Sequence, residues 1–283
     1  GKVTPKGDAH TFTYDDINRL SASSHPGIGT YNYAYNDANY VTGINGPDTN
    51  VSYGYDDAYR TVRETNSNLD YQLDYGYDNA GNMTYAASKR ISTQAQVTIC
   101  EYGWDSADRM TTVTNGTDMT TNFEYDLGSR RTRKTLPNGA YTAYSYDNAN
   151  NLLQLGNYKS NADLISRFTY TVDNVGNRTQ MTIEEPAKTD TIDYSYDNAY
   201  RLTGEARIST NPVMNYTEEF DYDTMGNRTE RRKSAAGNPF ETTSYAYNSA
   251  NQLTTEIADL SQTNYSYDDN GNMVQKQTGA DTT

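Results

Sequence analysis

The chain has 283 residues, a formal net charge of −14 and 28 tyrosines, but only 37 of its residues are Leu, Ile, Val or Phe. So little aliphatic surface with so much charge is typical of disordered chains. The tyrosines indicate order instead, because a ring can be buried while its hydroxyl keeps a polar partner. The acidic balance argues against a nucleic-acid partner, and no apolar run is long enough for a membrane-spanning helix.

A short tyrosine-rich segment recurs along the chain. It reads YGYDNAGN from Tyr75, YSYDNANN from Tyr144 and YSYDNAYR from Tyr194. An Asp or Asn follows each aromatic pair, and we take this residue as the anchor of a repeat. The anchors follow one another at intervals of 20 to 27 residues. The twelve anchors are Asp15, Asn36, Asp56, Asp78, Asp105, Asp126, Asp147, Asp173, Asp197, Asp223, Asn248 and Asp268.

Each repeat predicts a β-hairpin. The Tyr-x-Tyr before the anchor has period two, which places both rings on one side of a strand. The anchor suits the first position of a type I turn, and Gly three residues later suits the left-handed position of a G1 bulge. Tyr59 and Tyr200 occupy that position in two repeats, fit it less well, and predict different turns there. The predicted turn residues are Asp78 and Gly81, Asp173 and Gly176, Asp197 and Arg201, Asp223 and Gly226, and Asp268 and Gly271.

Such a turn fixes the register of pairing. It places the anchor opposite the residue four positions later, so that Asp197 and Arg201 form an exposed ion pair. The next pair inward is Tyr196 with Leu202, which makes one face aromatic and aliphatic and the other polar. We expect this aromatic seam either to be the core or to be partly exposed for carbohydrate binding. Its residues are Tyr75, Tyr77, Trp104, Tyr144, Tyr146, Tyr194, Tyr196, Tyr222, Tyr245, Tyr247, Tyr265 and Tyr267.

The predicted fold class is all-β, with about twelve tandem hairpins in a continuous, spiralling sheet strip. We expect residues 1–283 to be a single array, with recognisable repeats over about 12–277. In some repeats Arg131, Arg178 or Arg228 replaces the Leu beside the rings, either stacking on them or facing water. Two basic clusters are expected on solvated strands with acidic neighbours. They are Arg130, Arg131, Arg133 and Lys134, and Arg228, Arg231, Arg232 and Lys233.

The motifs Y-x-Y-D-x-x-G-N and Y-D-x-A-x-R-L resemble the YD repeats of the Rhs (rearrangement hotspot) family. That family includes polymorphic-toxin Rhs proteins, the B and C components of insecticidal ABC toxins, wall-associated proteins and teneurins. The resemblance covers nearly the whole chain, from about Phe12 to Gln277. It implies hairpins that wind into the wall of a hollow shell, which in toxin relatives encloses a C-terminal toxic domain.

The resemblance also implies a secreted or surface-displayed bacterial protein without catalytic activity. Its partners would be the rest of the parent shell and an enclosed toxin domain. Open sheet edges favour edge-to-edge association of copies. The sequence contains no D-P-x-G motif of the kind that ends such shells, so we expect an arc of wall from a longer protein. The alternative function is an extracellular carbohydrate-binding or adhesive module that uses the tyrosine array.

Few residues are arranged for chemistry. The loop at Asp268 resembles a calcium loop, but its Gly is at the fourth position and no closing Glu follows. The distinctive carboxylates are turn anchors repeated in every unit, unlike an exceptional glycosidase pair. His10 and His25 are the only histidines, and Cys100 is expected to be a buried thiol. These residues predict no zinc site, no other metal site and no cofactor.

Overall fold

A computed structural model describes residues 2–3, 9–258 and 261–280. Over these residues the chain forms 25 β-strands and one short 3-10 helix, which confirms the predicted all-β class of tandem hairpins. Backbone contacts divide the chain into two compact units, Gly1–Pro137 and Asn138–Thr283. No helix in the described part of the chain is long and apolar enough to cross a membrane.

The first unit is an antiparallel meander in which each strand pairs with the next. Period-two alternation and closely spaced turns favour this arrangement over any crossover. The strands are β1 Lys2–Val3, β2 Ala9–Tyr14, β3 Leu20–His25, β4 Gly29–Tyr35, β5 Val41–Asn45, β6 Asn50–Tyr55, β7 Thr61–Asn66, β8 Tyr71–Tyr77, β9 Met83–Arg90, β10 Gln96–Trp104, β11 Met110–Asn115, β12 Thr120–Tyr125 and β13 Arg131–Thr135.

The second unit repeats the same plan. The 3-10 helix, Pro212–Met214, lies in the connection between two of its hairpins. The strands are β14 Tyr141–Tyr146, β15 Leu152–Tyr158, β16 Leu164–Val172, β17 Arg178–Glu185, β18 Lys188–Tyr196, β19 Leu202–Ser209, β20 Tyr216–Tyr222, β21 Arg228–Ala235, β22 Glu241–Tyr247, β23 Leu253–Ala258, β24 Ser261–Tyr267 and β25 Met273–Ala280.

The predicted register is confirmed, with one addition. Tyr196 lies opposite Leu202, but Ser195 lies opposite Gly204, so Thr203 is an extra residue on its strand. The same one-residue bulge occurs after every one of the twelve anchors. A bulge increases the local twist and changes which residues lie opposite each other beyond it. Eight of the twelve bulged residues are threonine.

Each unit has little fully buried apolar surface. Val51, Ile192 and Phe220 are the buried hydrophobic residues in the described part of the chain. The twelve seam aromatics are all half-buried. A side chain on one of these sheets is therefore covered mainly by its neighbours on the same face. Cross-strand contacts are the main source of packing energy in such an arrangement.

Candidate functional site

The repeated turn is held by the carboxylate of its anchor. Asp197 Oδ1 accepts the backbone N–H groups of Ala199 and Arg201 at 2.9 and 3.0 Å. Its Oδ2 accepts the Nε–H of Arg201 at 2.6 Å. The backbone of Tyr200 also donates to the Asp197 carbonyl oxygen at 3.0 Å. The residue three positions after the anchor has a positive φ in all twelve repeats: Asn18, Asn39, Tyr59, Gly81, Asp108, Ser129, Asn150, Gly176, Tyr200, Gly226, Asn251 and Gly271.

The expectation of different turns at Tyr59 and Tyr200 is wrong. Their φ angles are 60° and 61°, in the same left-handed region as the other repeats. A β-carbon there costs roughly 1–2 kcal/mol. The anchor's hydrogen bonds offset this cost, and the exposed side chains meet no steric obstacle. Tyr59 also stacks on Tyr40, with ring centroids 5.0 Å apart.

Hydrogen bonds in the turn lower the pKa of the aspartate anchors Asp197 and Asp268. The backbone N–H of Arg201 makes the largest contribution to lowering the pKa of Asp197, and its guanidinium lowers it further. Asp268 has no arginine opposite it, yet the side-chain amide and backbone N–H of Asn272 lower its pKa as well. Hydrogen bonds to a carboxylate stabilise its charged form. The turn itself, with or without a cation, therefore sets the charge of the anchor.

A side-chain hydrogen bond, in most cases from a tyrosine hydroxyl, joins many of the hairpins to the preceding one. Tyr222 donates to the carbonyl oxygen of Leu202 at 2.8 Å, and Trp104 donates through Nε1 to that of Met83 at 2.7 Å. The donor precedes its anchor by one residue, and the acceptor follows the preceding anchor by five. We call this series the tyrosine ladder. Its other described members are Tyr35 to Leu20, Tyr55 to Val41, Tyr77 to Thr61, Tyr125 to Met110, Tyr196 to Arg178, Tyr247 to Arg228 and Tyr267 to Leu253.

The position of the acceptor explains why a hydroxyl is needed. Pairing between the strands of successive hairpins stops at Gly204, opposite Glu219, so Leu202 has no backbone partner in the next hairpin. A half-buried carbonyl without a partner costs free energy comparable to a lost hydrogen bond. The hydroxyl of Tyr222 supplies that partner from across the gap. Phenylalanine would fill the same volume and leave the carbonyl unpaired.

An arginine clamp adds a second link between hairpins at the turn edge. Arg201 binds its own anchor, donates from Nη1 to the carbonyl oxygen of Asp223 at 2.8 Å, and lies 4.8 Å from the Tyr222 ring centroid. A planar guanidinium can make all three contacts at once. The sequence predicted the ion pair with Asp197 but not the link to the next hairpin. Arg19, Arg60 and Arg109 make the corresponding three contacts.

The bulge brings glutamate onto the aromatic face. Tyr194 lies opposite Glu205, eight residues after the anchor, and Glu205 accepts a hydrogen bond from the hydroxyl of Tyr216. Burial raises the pKa of Tyr216, and the Glu205 carboxylate raises it further. The equivalent bond joins Tyr71 to Glu64 at 2.9 Å. Tyr265, at a different position of its repeat, donates to Glu256 at 2.8 Å. The recurrence of Glu eight residues after an anchor was a sequence signal for this contact.

The arginines that replace Leu lie on aromatic rings. The Cζ atom of Arg178 is 3.9 Å from the Tyr170 ring centroid, and that of Arg131 is 4.7 Å from the Phe123 centroid. Arg228 lies between two rings, 5.5 Å from Phe220 and 5.0 Å from Tyr245. All three arginines therefore have the cation–π arrangement, and Arg131 and Arg178 are also exposed to water, so the two alternatives left by the sequence hold together for these two.

The second basic cluster is paired with acidic neighbours. Arg231 Nη2 lies 2.9 Å from Glu218, and Lys233 Nζ lies 3.1 Å from the same carboxylate. Arg232 pairs with Glu219 at 2.9 Å, and with Asp221 and Glu230. In the first cluster Arg130 pairs with its anchor Asp126 at 2.7 Å. The positive charges of these strands are therefore neutralised by acidic side chains of the same sheet.

One carboxylate is almost completely buried. Asp190 is 1% exposed and contacts Arg207 and Lys188, with Lys188 Nζ at 2.9 Å. Burial raises the pKa of Asp190, but hydrogen bonds from Ser209, Lys188 and Arg207 outweigh it and lower the pKa to about 2. The residue is the centre of a structural ion cluster on β18.

Few groups in the described residues are arranged for catalysis. His10 and His25 lie side by side in the first unit. The expectation that Cys100 is a buried thiol is wrong, because on β10 its side chain is only half-buried. No group of three or more His, Cys, Asp or Glu converges on one point within the described ranges. One surface groove of about 450 Å³ is a shallow depression beside Tyr194, Gly204 and Phe220. Among the predicted turn and seam residues, those that link one hairpin to another are Arg201, Tyr77, Trp104, Tyr196, Tyr222, Tyr247 and Tyr267.

Comparison with known proteins agrees with this arrangement. The family model described as Teneurin YD-shell matches residues 154–283, which lie within the second unit. Over residues 154–283 the chain is therefore similar to the YD shells of teneurins. The same turn, bulge and tyrosine ladder recur in the first unit. No curated protein sequence matches it.

Two solved structures are similar to this chain over most of its length. The Tc holotoxin pore of Photorhabdus luminescens is 12% identical over 94% of this chain and 18% of its own, with a TM-score of 0.47. The TcdB2-TccC3 crystal structure is 13% identical over 95% of this chain and 18% of its own, with a TM-score of 0.48. This chain therefore spans less than a fifth of the length of either.

Proposed function

We propose that the chain is a non-catalytic wall segment of a YD-repeat shell, and that its parent protein encloses a polypeptide cargo such as a toxin domain. The tyrosine ladder carries this proposal. At least nine of the twelve repeats donate a side-chain hydrogen bond of the same kind to the repeat before them. A residue set that is repeated along the chain suits assembly, whereas a catalytic site needs a unique constellation.

We further propose that the parent protein is secreted by a bacterium or displayed on its surface.

Within the described residues β25 pairs only with β24, and residues 273–279 are exposed. Such an edge can pair with a further YD hairpin or with a second copy of the chain. Light scattering over a range of concentrations distinguishes a monomer from an edge-paired dimer.

The shell proposal is tested on the full-length gene product. Limited proteolysis of the native protein should spare a polypeptide that is not a YD repeat and that is digested once the protein is unfolded. A variant with several ladder tyrosines changed to Phe should lose that protection, because the wall opens. A full-length product in which every non-YD segment is cut as fast as a free peptide would overturn the proposal.

The same chain tests the carbohydrate alternative. The ladder hydroxyls already bind backbone carbonyl groups, and the seam rings are half-buried, so few complete ring faces are available for a sugar. We expect a glycan array to give no signal above that of the denatured chain. Specific binding that disappears when seam tyrosines are replaced would make recognition the principal function.

A further inference from the structure

The two histidines of the chain face each other across one hairpin. Strands β2 and β3 pair Thr11 with Ser24, so His10 and His25 fall at the next opposed positions. Side chains at opposed positions share a face, with β-carbons about 5 Å apart. The two Nδ1 atoms are 2.6 Å apart. The ring centroids are 4.8 Å apart, with the planes inclined at 67°.

A buried hydroxyl orients the ring of His25 by contacting the ring nitrogen that does not face His10. Its Nε2 lies 3.3 Å from Ser23 Oγ, and Ser23 is 2% exposed. Ser23 Oγ in turn lies 3.2 Å from the hydroxyl of Tyr33. A metal-binding histidine usually donates its second ring N–H to such a partner, which leaves the first nitrogen free as a ligand. The contact with Ser23 therefore directs the lone pair of His25 Nδ1 towards His10.

We propose that His10 and His25 form a binding site for a divalent transition metal, with Cu²⁺ as the preferred ion. Imidazole nitrogen is a good ligand for Cu, Ni and Zn. The metal would take the place of the proton between the two Nδ1 atoms. Water would occupy its remaining positions, since no third His, Cys, Asp or Glu in the described residues converges on the pair.

The separation of the two nitrogens favours Cu²⁺ over Zn²⁺. Metal–imidazole bonds are about 2.0–2.1 Å long, so two ligands are about 3.3 Å apart in a tetrahedral site. Adjacent ligands in a square-planar site, the geometry typical of Cu²⁺, are only about 2.9 Å apart. From 2.6 Å, the square-planar site requires the smaller movement of the rings. The general order of affinities also places Cu²⁺ above Zn²⁺.

An aromatic ring packs against one member of the pair. The Tyr31 ring packs edge-on against His25, with centroids 5.7 Å apart, and its hydroxyl binds Asp48 at 2.8 Å. Both histidines are half-buried rather than enclosed. Water can therefore complete the coordination sphere, and the site is distinct from the turns and the tyrosine ladder.

The test uses the untagged chain, because a polyhistidine tag would bind the same metals. Calorimetric titration with CuCl₂ at neutral pH should show one site above a weak background from the 37 carboxylates and the α-amino group. Electron paramagnetic resonance should show hyperfine coupling to two equatorial nitrogens. Zn²⁺ should bind more weakly by about tenfold or more.

Variants assign the site to its residues. His10→Asn and His25→Asn should each reduce Cu²⁺ affinity by on the order of tenfold or more, because each leaves a single imidazole. Ser23→Ala should reduce it by about tenfold through the lost orientation of His25. Tyr31→Phe is the matched control and should leave it unchanged. Circular dichroism without metal establishes that each variant is folded.

The proposal fails if the His10→Asn, His25→Asn double variant binds Cu²⁺ as tightly as the wild type. Should the variants unfold, the wild-type spectrum decides by itself, since coupling to no nitrogen or only one would rule out the pair. Zn²⁺ binding as tight as Cu²⁺ binding would overturn the assignment of the metal.

Discussion

The hydroxyl of Tyr222 donates a hydrogen bond to the carbonyl oxygen of Leu202 at 2.8 Å, across the join between two hairpins. The backbone ladder between those hairpins has already stopped at Gly204. The side chain thus continues the pairing where the backbones no longer meet. The same relationship recurs along both units, which explains why the repeat uses tyrosine more than phenylalanine.

Replacing Tyr222 by Phe should lower the free energy of unfolding by about 1–3 kcal/mol. The change keeps the ring but leaves a half-buried carbonyl oxygen without its donor. Urea denaturation measures the loss. Tyr14→Phe is the control, because Tyr14 holds the same repeat position, is 58% exposed and has no hydrogen bond in the described part of the chain. It should change stability by less than about 0.5 kcal/mol. Equal effects at both sites would contradict the role of the ladder.

Replacing Arg201 by Lys should cost about 1–2 kcal/mol, although the charge is kept. Lysine can pair with Asp197 but cannot also reach the Asp223 carbonyl and lie flat on Tyr222. Arg63→Lys is the comparison, since Arg63 has only an ion pair with Asp74 and its side chain is 57% exposed. We expect less than about 0.5 kcal/mol there. Thermal and urea unfolding of both variants distinguish a clamp from a simple salt bridge.

Replacing a glycine by alanine should affect stability differently at two positions that both have room for a β-carbon. A β-carbon at Gly226 or Gly279 would meet no atom within 4 Å, but Gly226 has a φ of 92° and Gly279 has no such restriction. Gly226→Ala should therefore destabilise the protein by about 1–2 kcal/mol through backbone strain alone. Gly279→Ala should be neutral or slightly stabilising. If the two substitutions gave the same change in urea midpoint, the left-handed turn position would not be the cause.

Asp190 should make the free energy of unfolding depend on pH in the acidic range. Its folded-state pKa of about 2 lies below the ordinary value of 3.8. The stabilisation is therefore complete above about pH 4 to 5 and is lost as the pH falls towards 2, by on the order of 2 kcal/mol. Asp190→Asn should be less stable than the wild type at neutral pH, and the difference should shrink on acidification. Urea denaturation as a function of pH measures both, and a difference that stayed constant down to pH 2 would exclude ionised Asp190 as its source.

Much of the hairpin could be predicted from the sequence because its determinants are local. A type I turn with a left-handed fourth position needs only an anchor such as Asp197 and a residue that tolerates positive φ, and the turn then fixes Tyr196 opposite Leu202. Residue propensity alone predicts different turns at Tyr59 and Tyr200, whereas the anchor's hydrogen bonds impose the same left-handed turn there.

What joins one hairpin to the next was decided only by the tertiary structure. The bulge at Thr203 depends on how two strands share their hydrogen bonds, and it places Glu205 on the aromatic face. The bond from Tyr222 to Leu202 joins residues 20 apart, with a loop of variable length between them. The sequence by itself determined the turn, the strand alternation and the all-β class, since each depends on neighbouring residues. The tertiary structure decided the tyrosine ladder, the arginine clamp and the meeting of His10 with His25, because those contacts depend on the distance between strands.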